Sequence, residues 1–334
     1  MKRQTLLTLT IAIAMTMTMN AQTIALHSST GVQIIKGNNA LALAYTAAQN
    51  GDTLYLSGHT FTPPGAFDKQ LTIFGAGHYV DSTLATGKTF INGSVTLNQN
   101  ADLFYLEGVE ITGNFNLATN QSINNVTIKR CKINGNTDVL GGLSNPSTDL
   151  ALIGNVFIGA INLSNATSVL IANNIIQNGF FPSNGNQISN NIFFNMSTSY
   201  YIYGDNNVIN NNIFLLPNIS PSTGNSYNNN LFVAASPIYG TTPTAIGNYT
   251  GIAQTAIFVN QTGHAFDYTH NYHLQAPTTY LGTDGSQVGI YGGTFPYKEG
   301  AVPLNPHIQL KNIAPTTNAN GDLQIQIQVE AQND

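Results

Sequence analysis

The sequence predicts an all-β protein built around a solenoid of stacked parallel β-strands. Three observations predict this fold: a phrase that recurs about every twenty residues, apolar residues two positions apart within each phrase, and no helical pattern inside the repeat. Each phrase consists of an apolar residue, two variable positions, a fourth position that we call the ladder position, and an apolar residue two places after it. The repeated stretch runs from Leu106 to Phe232.

Seven copies of this phrase can be aligned, and Ile188-Ser-Asn-Asn191-Ile-Phe193 is typical. The ladder positions are Val109, Cys131, Asn155, Asn174, Asn191, Asn212 and Asn230. They lie 22, 24, 19, 17, 21 and 18 residues apart, which leaves room for roughly three short strands in each turn. Stacked turns lie about 4.8 Å apart, so we expect inward columns of Ile and Phe and a ladder of hydrogen-bonded Asn amides. An Asn-rich repeat could be disordered or amyloid-like, but regular apolar columns favour the solenoid.

Residues 1–21 have the pattern of an export signal. Lys2 and Arg3 form a charged start, residues 6–19 are apolar or Thr, and Met19-Asn-Ala21 is a plausible cleavage site. The stretch is too short and too rich in Thr for a typical membrane span. We therefore expect a secreted, extracellular or cell-surface protein with no membrane-spanning segment in its mature chain.

Charged residues are scarce, at 7% of the chain against about 25% in typical globular proteins. Without Lys2 and Arg3, eight basic and fifteen acidic residues remain, a net side-chain charge of −7. Nucleic-acid binding needs a basic face and is not expected. The polar surface must come from Asn, Thr, Ser and Gln, which suits a neutral or sugar-like partner. Cys131 is the only cysteine, so no intrachain disulfide can form, and its ladder position predicts a buried, unreactive thiol.

A short helix is predicted before the first strand. Its apolar side comprises Leu41, Ala44, Tyr45 and Ala48. Asn38 or Asn39 can cap its start, Gly51 can end it, and residues 53–57 alternate as a strand. A helix laid over the open end of a solenoid covers its exposed edge, so we expect an N-terminal capping helix.

The stretches Ala47-Ala-Gln-Asn-Gly-Asp-Thr-Leu-Tyr-Leu56 and Leu71-Thr-Ile-Phe-Gly-Ala-Gly77 resemble the entry and early turns of the pectin lyase-like superfamily. With the later Asn-Asn-Ile phrases, the resemblance covers about residues 38 to 235. It implies a right-handed parallel β-helix. It does not imply one activity, since this fold carries lyases, hydrolases, adhesins and binding proteins.

We expect a β-helix domain over residues 22–300, followed by a C-terminal β-strand tail over residues 301–334. We expect the last turns at residues 257–260 and 272–275, and residues 283–293 resemble the closing segment of secreted bacterial β-helix proteins. In the tail, Ile308 to Leu310 and Leu323 to Val329 alternate strictly, which predicts a hairpin with one wet face. Such a hairpin either caps the solenoid or attaches the protein to another structure.

Two stacked phrases bring together an unusual set of charges. Glu107 is expected beneath Lys129 and Glu110 beneath Lys132, with Arg130 beside them. The family resemblance implies one use for such residues, because some polysaccharide lyases of the superfamily pair a basic residue with carboxylates that hold Ca²⁺ against a uronate. The alternative is a structural salt-bridge ladder worth about 0.2–1 kcal/mol per pair. Direct contact between Glu110 and Lys132 would keep the lysine protonated, which is wrong for a base.

A second cluster contains His264, Asp267, His270 and His273. The last two histidines are three residues apart, which puts them on opposite faces of a strand, and zinc needs three or four convergent ligands. Structural roles are favoured over a metal site. We expect no cofactor, except Ca²⁺ if the lyase interpretation holds.

Aromatic residues between the repeated phrases offer a binding surface for a sugar chain, because flat rings stack on the apolar faces of sugars. The candidates are Phe180, Phe181, Tyr200, Tyr201 and Tyr203. Some of these rings must fill the core. The leading prediction is a non-catalytic protein that binds polysaccharide or serves as a surface scaffold, and the alternative is a polysaccharide lyase that acts on uronate-containing glycans.

Overall fold

Three sheets of stacked strands surround one apolar core and form a parallel β-solenoid of about nine turns. The structure is a computed structural model and describes residues 22–142, 144–194, 204–215 and 222–331. The chain passes from sheet A through a tight bend into sheet B and then, over much of the solenoid, into sheet C. The predicted all-β solenoid is therefore confirmed.

Sheets A, B and C contain twelve, nine and five strands. The strands of sheet A are Thr23–Ser28, Gly31–Lys36, Thr53–Leu56, Thr72–Phe74, Tyr105–Glu107, Thr127–Lys129, Ala151–Ile153, Leu170–Ala172, Gln187–Ser189, Val208–Asn210, Ser226–Asn228 and Thr244–Ile246. Those of sheet B are Thr60–Phe61, Phe90–Ile91, Glu110–Ile111, Lys132–Ile133, Val156–Phe157, Ile175–Ile176, Ile192–Phe193, Ile213–Phe214 and Leu231–Phe232. Those of sheet C are Val95–Leu97, Phe115–Leu117, Thr137–Val139, Ile161–Asn162 and Phe180–Phe181.

The remaining elements lie at the ends and outside the three sheets. The helices are the α-helix Ala40–Ala47 and the short 3₁₀ turns Asp81–Thr83 and Gln254–Ala256. The paired strands outside the three sheets are Ser147–Thr148 with Ala166–Thr167, Phe258–Asn260 with Asn271–Leu274, and His307–Ile313 with Ile325–Glu330. We call the last pair the C-terminal hairpin.

Identical side chains stack along the inside of the solenoid. Ile188 pairs in register with Ile209 in sheet A. The rings of Phe193 and Phe214 are nearly parallel at 4.7 Å, and Phe232 continues the stack at 4.8 Å from Phe214. These columns are fully buried, because alternation sends every second residue of a strand inward.

The bend between sheets A and B carries the predicted ladder of asparagines. The Asn191 side chain accepts hydrogen bonds from the backbone N–H and the amide of Asn174 at 2.9 and 3.0 Å. Its own amide donates to the Ile171 carbonyl at 2.8 Å and to the next ladder residue, Asn212, at 2.9 Å. The same pattern runs from Asn155 to Asn230. Each amide thus satisfies backbone groups that the bend leaves without a strand partner.

A second ladder, which the sequence analysis missed, lies at the entry to sheet A. Val169 N–H donates to the Asn186 side chain at 2.9 Å, Asn186 N–H to Asn207 at 2.8 Å, and Asn207 N–H to Asn225 at 2.7 Å. These three asparagines precede their first-ladder partners by five residues. That spacing is visible in the sequence and could have revealed the ladder.

The residue before each first-ladder position has a left-handed backbone conformation. This column comprises Gly108, Arg130, Gly154, Asn173, Asn190, Asn211, Asn229 and Gly247, with φ between 51° and 74°. Glycine and asparagine tolerate this conformation, whereas other residues pay roughly 1–2 kcal/mol. The second variable position of the repeat therefore favours glycine or asparagine because of its left-handed backbone conformation. Arg130 is the exception in this column.

The segment from Leu281 to Pro303, which we call the strap, runs back along this column toward the first turns. Asn229 donates to the Leu281 carbonyl at 2.9 Å, and Asn173 donates to the Ile290 and Gly292 carbonyls at 2.8 and 2.7 Å. The left-handed asparagines thus have two roles: they form the bend and bind the strap.

Sheet B has an apolar outer face in its later turns. This face comprises Val156, Ile175, Ile192, Ile213 and Leu231, all buried against residues 257–297. The prediction that residues 257–260 and 272–275 form the last turns is wrong, because these strands pair antiparallel with each other and cover sheet B. A wholly apolar outer face cannot remain in water, so the chain returns to bury it.

The two ends of the chain partly follow expectation. The capping helix is present, but Asn39 makes no side-chain cap, and the first helical N–H donates to Gln22 at 3.1 Å instead. The C-terminal hairpin is confirmed, and its apolar residues remain exposed, with Ile325 and Val329 at 57% and 59%.

Replacing one ladder residue should test the role of the amides. We expect Asn191→Ala to lower the free energy of unfolding by about 2–3 kcal/mol, because it leaves buried backbone groups of Ile171 and Asn174 without a partner. Urea unfolding followed by circular dichroism measures this loss. Asn116→Ala, on the half-exposed outer face of sheet C, is the matched control and should cost less than about 0.5 kcal/mol. Equal losses would contradict the role of the ladder.

Candidate functional site

Three clefts lie in line along the outer face of sheet A. Cleft 1, of about 370 Å³, lies between Tyr55 and Phe74 on one side and residues 303–311 on the other. Cleft 2, of about 510 Å³, lies between the strands around residues 129 and 153 and strap residues 294–298.

Cleft 3, of about 340 Å³, lies over the strands at Gln187 and Val208 and also borders Thr294 and Phe295. Clefts 2 and 3 therefore share part of the strap. Clefts 1 and 2 share no lining residue, and we call the three clefts together the sheet A groove. Its floor is the outward side of sheet A, and much of its wall comes from the strap and the start of the C-terminal hairpin.

Four aromatic rings lie side by side on successive strands at the early end of this groove. His27 lies 4.8 Å from Tyr55, Tyr55 stacks on Phe74 at 5.4 Å with 19° between the ring planes, and Phe74 lies 5.5 Å from Tyr105. His27 is exposed and the other three rings are half-buried. Strand alternation sends these side chains outward, and the pairing of neighbouring strands in sheet A sets their spacing. We call this set the aromatic row.

Polar groups in the wall of cleft 1 lack partners. The side-chain Nδ2 of Asn305 and the Nδ1 of His307 are buried and make no hydrogen bond with the described residues. A buried polar atom without a partner costs about 1–3 kcal/mol, so such atoms beside a cleft indicate a site that a polar ligand completes. Lys311 also lines this cleft.

The residues of cleft 1 were not predicted from the sequence, although part of the signal was present. Tyr55 and Phe74 occupy outward positions of the two stretches that resemble the superfamily, so an outward pair of rings on neighbouring turns could have been predicted. Asn305 and His307 follow the last turn, and only the path of the strap brings them beside the first turns.

The predicted charged patch is divided between two sheets. The predicted register is confirmed, since Lys129 pairs with Glu107 and Lys132 with Glu110. However, Glu107 lies in sheet A and Glu110 in sheet B, so the five predicted residues do not form one outward patch. The reason is the tight bend at residues 108–109, which turns the chain between the two glutamates.

Glu107 and Arg130 form a buried pair beneath the strap. A guanidinium nitrogen of Arg130 lies 3.1 Å from a carboxylate oxygen of Glu107 and donates to the Val302 carbonyl at 3.3 Å. The Tyr105 hydroxyl donates to the other carboxylate oxygen. These contacts join two turns of the solenoid to the strap and explain an arginine at a strained position.

Glu110 lies at the centre of the other cluster, between two lysines. Lys88 and Lys132 contact its carboxylate at 2.6 and 3.1 Å, and Asn134 donates to it at 3.0 Å. Burial alone would raise the pKa of Glu110, but these partners outweigh burial and lower it. The ring of Tyr268 lies over both ammonium groups, at 5.3 and 5.0 Å.

His78 is fully buried beside this cluster. Its Nδ1 lies 3.1 Å from the Tyr268 hydroxyl, and its Nε2 has no partner among the described residues. Burial lowers the pKa of His78 to about 3, and the charges of Lys132 and Lys88 add to the effect against that of Glu110. The imidazole is therefore neutral near pH 7.

The predicted aromatic candidates have different outcomes. Phe180 is fully buried and packs 5.5 Å from Phe193, so the expectation of an exposed ring is wrong at this position, because the strand turns it into the core. Phe181 points the other way and is half-buried on sheet C. Tyr200, Tyr201 and Tyr203 lie outside the described residues.

Two of the predicted histidines contact neighbouring tyrosines. His273 stacks on Tyr291 at 3.9 Å, and His270 lies 3.3 Å from the Tyr272 hydroxyl. Within residues 22–331, apart from the three gaps, no three His, Cys, Asp or Glu side chains form a group that could hold a metal ion. Cys131 is buried, as expected, and burial raises the pKa of its thiol to about 12.

No family model, no characterised protein and no solved structure matches this chain. In the part of the chain that the structure describes, none of the helices has the length and apolar character needed to cross a membrane.

The buried imidazole predicts a dependence of stability on pH. The unfolded chain binds a proton at His78 below about pH 6.5, whereas the folded protein does so only near pH 3. His78 therefore stabilises the protein above pH 6.5, and between pH 6.5 and 3 this contribution falls by about 1.4 kcal/mol per pH unit.

We expect His78→Gln to flatten the loss of unfolding free energy on acidification, measured by urea unfolding between about pH 7 and pH 4. His264→Gln replaces a half-exposed histidine and is the matched control. Parallel pH profiles for the wild type and His78→Gln would show that His78 titrates normally in the folded protein.

A double-mutant cycle tests the Glu107–Arg130 pair. Arg130→Gly relieves the left-handed backbone but leaves the Glu107 carboxylate buried without its cation, so we expect a net loss of about 2–3 kcal/mol in unfolding free energy. Adding Glu107→Gln should restore most of this loss, because no buried charge remains. Additive losses in the double variant would contradict the pairing.

Proposed function

We propose that this protein is a non-catalytic, extracellular β-solenoid that binds a glycan in the sheet A groove. The observation that carries the proposal is the aromatic row, of which Tyr55 and Phe74 line cleft 1. Rings of Tyr55 and Phe74 offer flat apolar surfaces, and sugars bind such surfaces through their C–H faces. The 4.8–5.5 Å spacing of the rings is comparable to the size of one sugar residue.

The polar wall of cleft 1 supports the same function. Asn305 and His307 have buried nitrogen atoms without partners, and sugar hydroxyls both donate and accept hydrogen bonds. A floor of aromatic rings with a few polar groups is the usual chemistry of a small-ligand site, and about 370 Å³ lies within the usual size range.

Catalysis has less support from the described residues. A lyase needs a base that can take a proton, but Lys132 contacts Glu110, and Arg130 contacts Glu107. Both carboxylates are largely buried, and Tyr268 covers the lysine pair, so these groups do not line the sheet A groove together. Binding is therefore the better interpretation.

The proposal also covers the N-terminal residues, the handedness of the solenoid and its relation to other proteins. We propose that residues 1–21 are an export signal and that the solenoid is right-handed and related to the pectin lyase-like superfamily. The Asn ladder at a tight bend between two parallel sheets supports the relation. The low content of charged residues, at 7% of the chain, supports contact with glycans outside the cell.

The first test measures binding of the purified protein to soluble neutral and acidic polysaccharides by affinity electrophoresis and calorimetry. We expect retention on at least one glycan and no rise in ultraviolet absorbance from unsaturated chain ends, with or without Ca²⁺. The double variant Tyr55→Ala/Phe74→Ala should bind at least about ten-fold more weakly, which corresponds to about 1.4 kcal/mol.

Phe181→Ala serves as the matched control, because this ring lies on sheet C and not in the groove. It should bind like the wild type. Weak binding by Phe181→Ala with normal binding by the double variant would move the site to sheet C. A rise in absorbance would show a lyase and contradict the proposal.

A further inference from the structure

The C-terminal hairpin is a sheet of only two strands, and both of its edges are open to pairing. Neither His307–Ile313 nor Ile325–Glu330 pairs with a third strand among the described residues. An isolated pair of strands is at best marginally stable in water, and further strands or a packed apolar face are needed to hold it. The hairpin is therefore a place where another strand can be added.

The two edges of the hairpin differ in their protection. Sheet edges are commonly protected from unwanted pairing by lysine, by proline or by a β-bulge. The first strand contains Lys311, and its register shifts between Ile308 and Leu310. The start of this strand also borders cleft 1, beside sheet A. The second strand, Ile325–Glu330, contains neither lysine nor proline, and Ile, Gln, Ile, Gln and Val alternate along it without a break. The second strand is therefore the edge that is open to pairing.

Backbone groups of this second strand point away from the hairpin at Ile325 and Ile327. The Ala314 N–H donates to the Gln324 carbonyl at 2.9 Å, so these two residues form a hydrogen-bonded pair of the antiparallel ladder. Such pairs alternate with pairs whose backbone groups point away from the partner strand. Ile325 follows Gln324 directly and Ile327 lies two positions further on, so the N–H and C=O groups of both are directed toward the open edge.

The strand that matches this edge best is its own copy. A short segment of β-branched residues with little charge and no Pro or Gly is the signature of strands that pair with themselves. In an antiparallel arrangement centred on Ile327, Ile325 lies opposite Val329 of the second copy. Gln326 then lies opposite Gln328, so apolar residues meet apolar residues and amides meet amides. A shift by one residue would place each apolar residue opposite a polar one.

Charge favours the antiparallel direction. Glu330 is the only charged residue of the second strand. In a parallel pair in register, the two Glu330 carboxylates would lie on neighbouring strands about 4.8 Å apart, and like charges directly opposite each other destabilise a sheet. Antiparallel pairing places these carboxylates at opposite ends of the paired strands. It also produces two-fold symmetry, in which both copies use the same surface.

We infer that two copies of this chain pair through the edges of Ile325–Glu330 and form one four-stranded antiparallel sheet, with Ile327 at the two-fold axis. The paired strands exchange backbone hydrogen bonds, and each apolar pair across the axis contributes about 0.2–1 kcal/mol. The inference does not depend on the proposed function. Since the other strand of each hairpin borders cleft 1, the dimer carries two such clefts.

The first test measures the mass of the purified protein by sedimentation velocity over a range of concentrations. We expect the wild type to change from monomer to dimer with a dissociation constant on the order of 10 μM, because an interface between two short strands is small. Ile327→Lys and Ile327→Glu should each dimerise at least about ten-fold more weakly, because each places like charges opposite each other at the axis.

A mixture of these two variants provides the matched control. Lysine from one copy then lies opposite glutamate from the other, so an equimolar mixture should dimerise again. This recovery would also show that neither variant is misfolded, and thermal unfolding of each variant checks the fold directly.

Cysteine cross-linking tests the register. Cys131 is the only natural cysteine and is buried, so an added thiol on the hairpin reacts without interference. Mild oxidation should join Ile327→Cys into a covalent dimer, because Cα atoms about 5.5 Å apart across an antiparallel pair suit a disulfide. Ile325→Cys is the matched control. Its thiol lies opposite Val329 of the second copy, so this variant should remain largely monomeric.

Several results would overturn the inference. A wild type that stays monomeric at every soluble concentration would show that the edge remains unpaired. Dimerisation that is unchanged in Ile327→Lys would place the interface elsewhere on the chain. Equal cross-linking of Ile325→Cys and Ile327→Cys, together with fibres, would indicate parallel stacking of many copies. Binding of a monomeric wild type to phosphatidylcholine vesicles, lost in Ile327→Lys, would assign the strand to a lipid surface.

Discussion

The structure depends on the bend between sheets A and B, where backbone groups leave the strand ladders and need other partners. Buried backbone N–H and C=O groups cost about 1–3 kcal/mol each when unsatisfied. Asparagine solves this problem because its amide both donates and accepts. Asn191 bonds backward to Ile171 and Asn174 and forward to Asn212, and the same residue type closes each bend from Asn155 to Asn230.

The left-handed residue before each ladder position connects the bend to the strap on the outside of the solenoid. This conformation turns the Asn173, Asn190 and Asn229 side chains away from the core, where they bind carbonyl groups of the strap. The strap and its preceding segment then cover the apolar face of sheet B and form a wall beside sheet A. The geometry that closes the bend thus also builds the groove.

The few charged residues of this solenoid form separate clusters with separate roles. Glu107 and Arg130 connect turns to the strap, and Glu110 holds two lysines beneath Tyr268. Both clusters are largely shielded from water. In such a buried cluster, removing one charged partner strongly lowers the free energy of unfolding, whereas replacing the whole pair does not. Lys129 and Lys298 line cleft 2.

The sequence by itself determined the repeat, the inward columns, the first Asn ladder and the register that places Lys132 over Glu110, because these depend on contacts one turn apart. It also predicted the C-terminal hairpin from strict alternation. Only the tertiary structure decided where residues 257–311 lie, since some of their partners in the early turns are 172 to 218 residues away and leave no periodic signal. Cleft 1, which joins Phe74 to His307, therefore could not be predicted, because local pattern does not specify how a non-repetitive segment packs against a repetitive one.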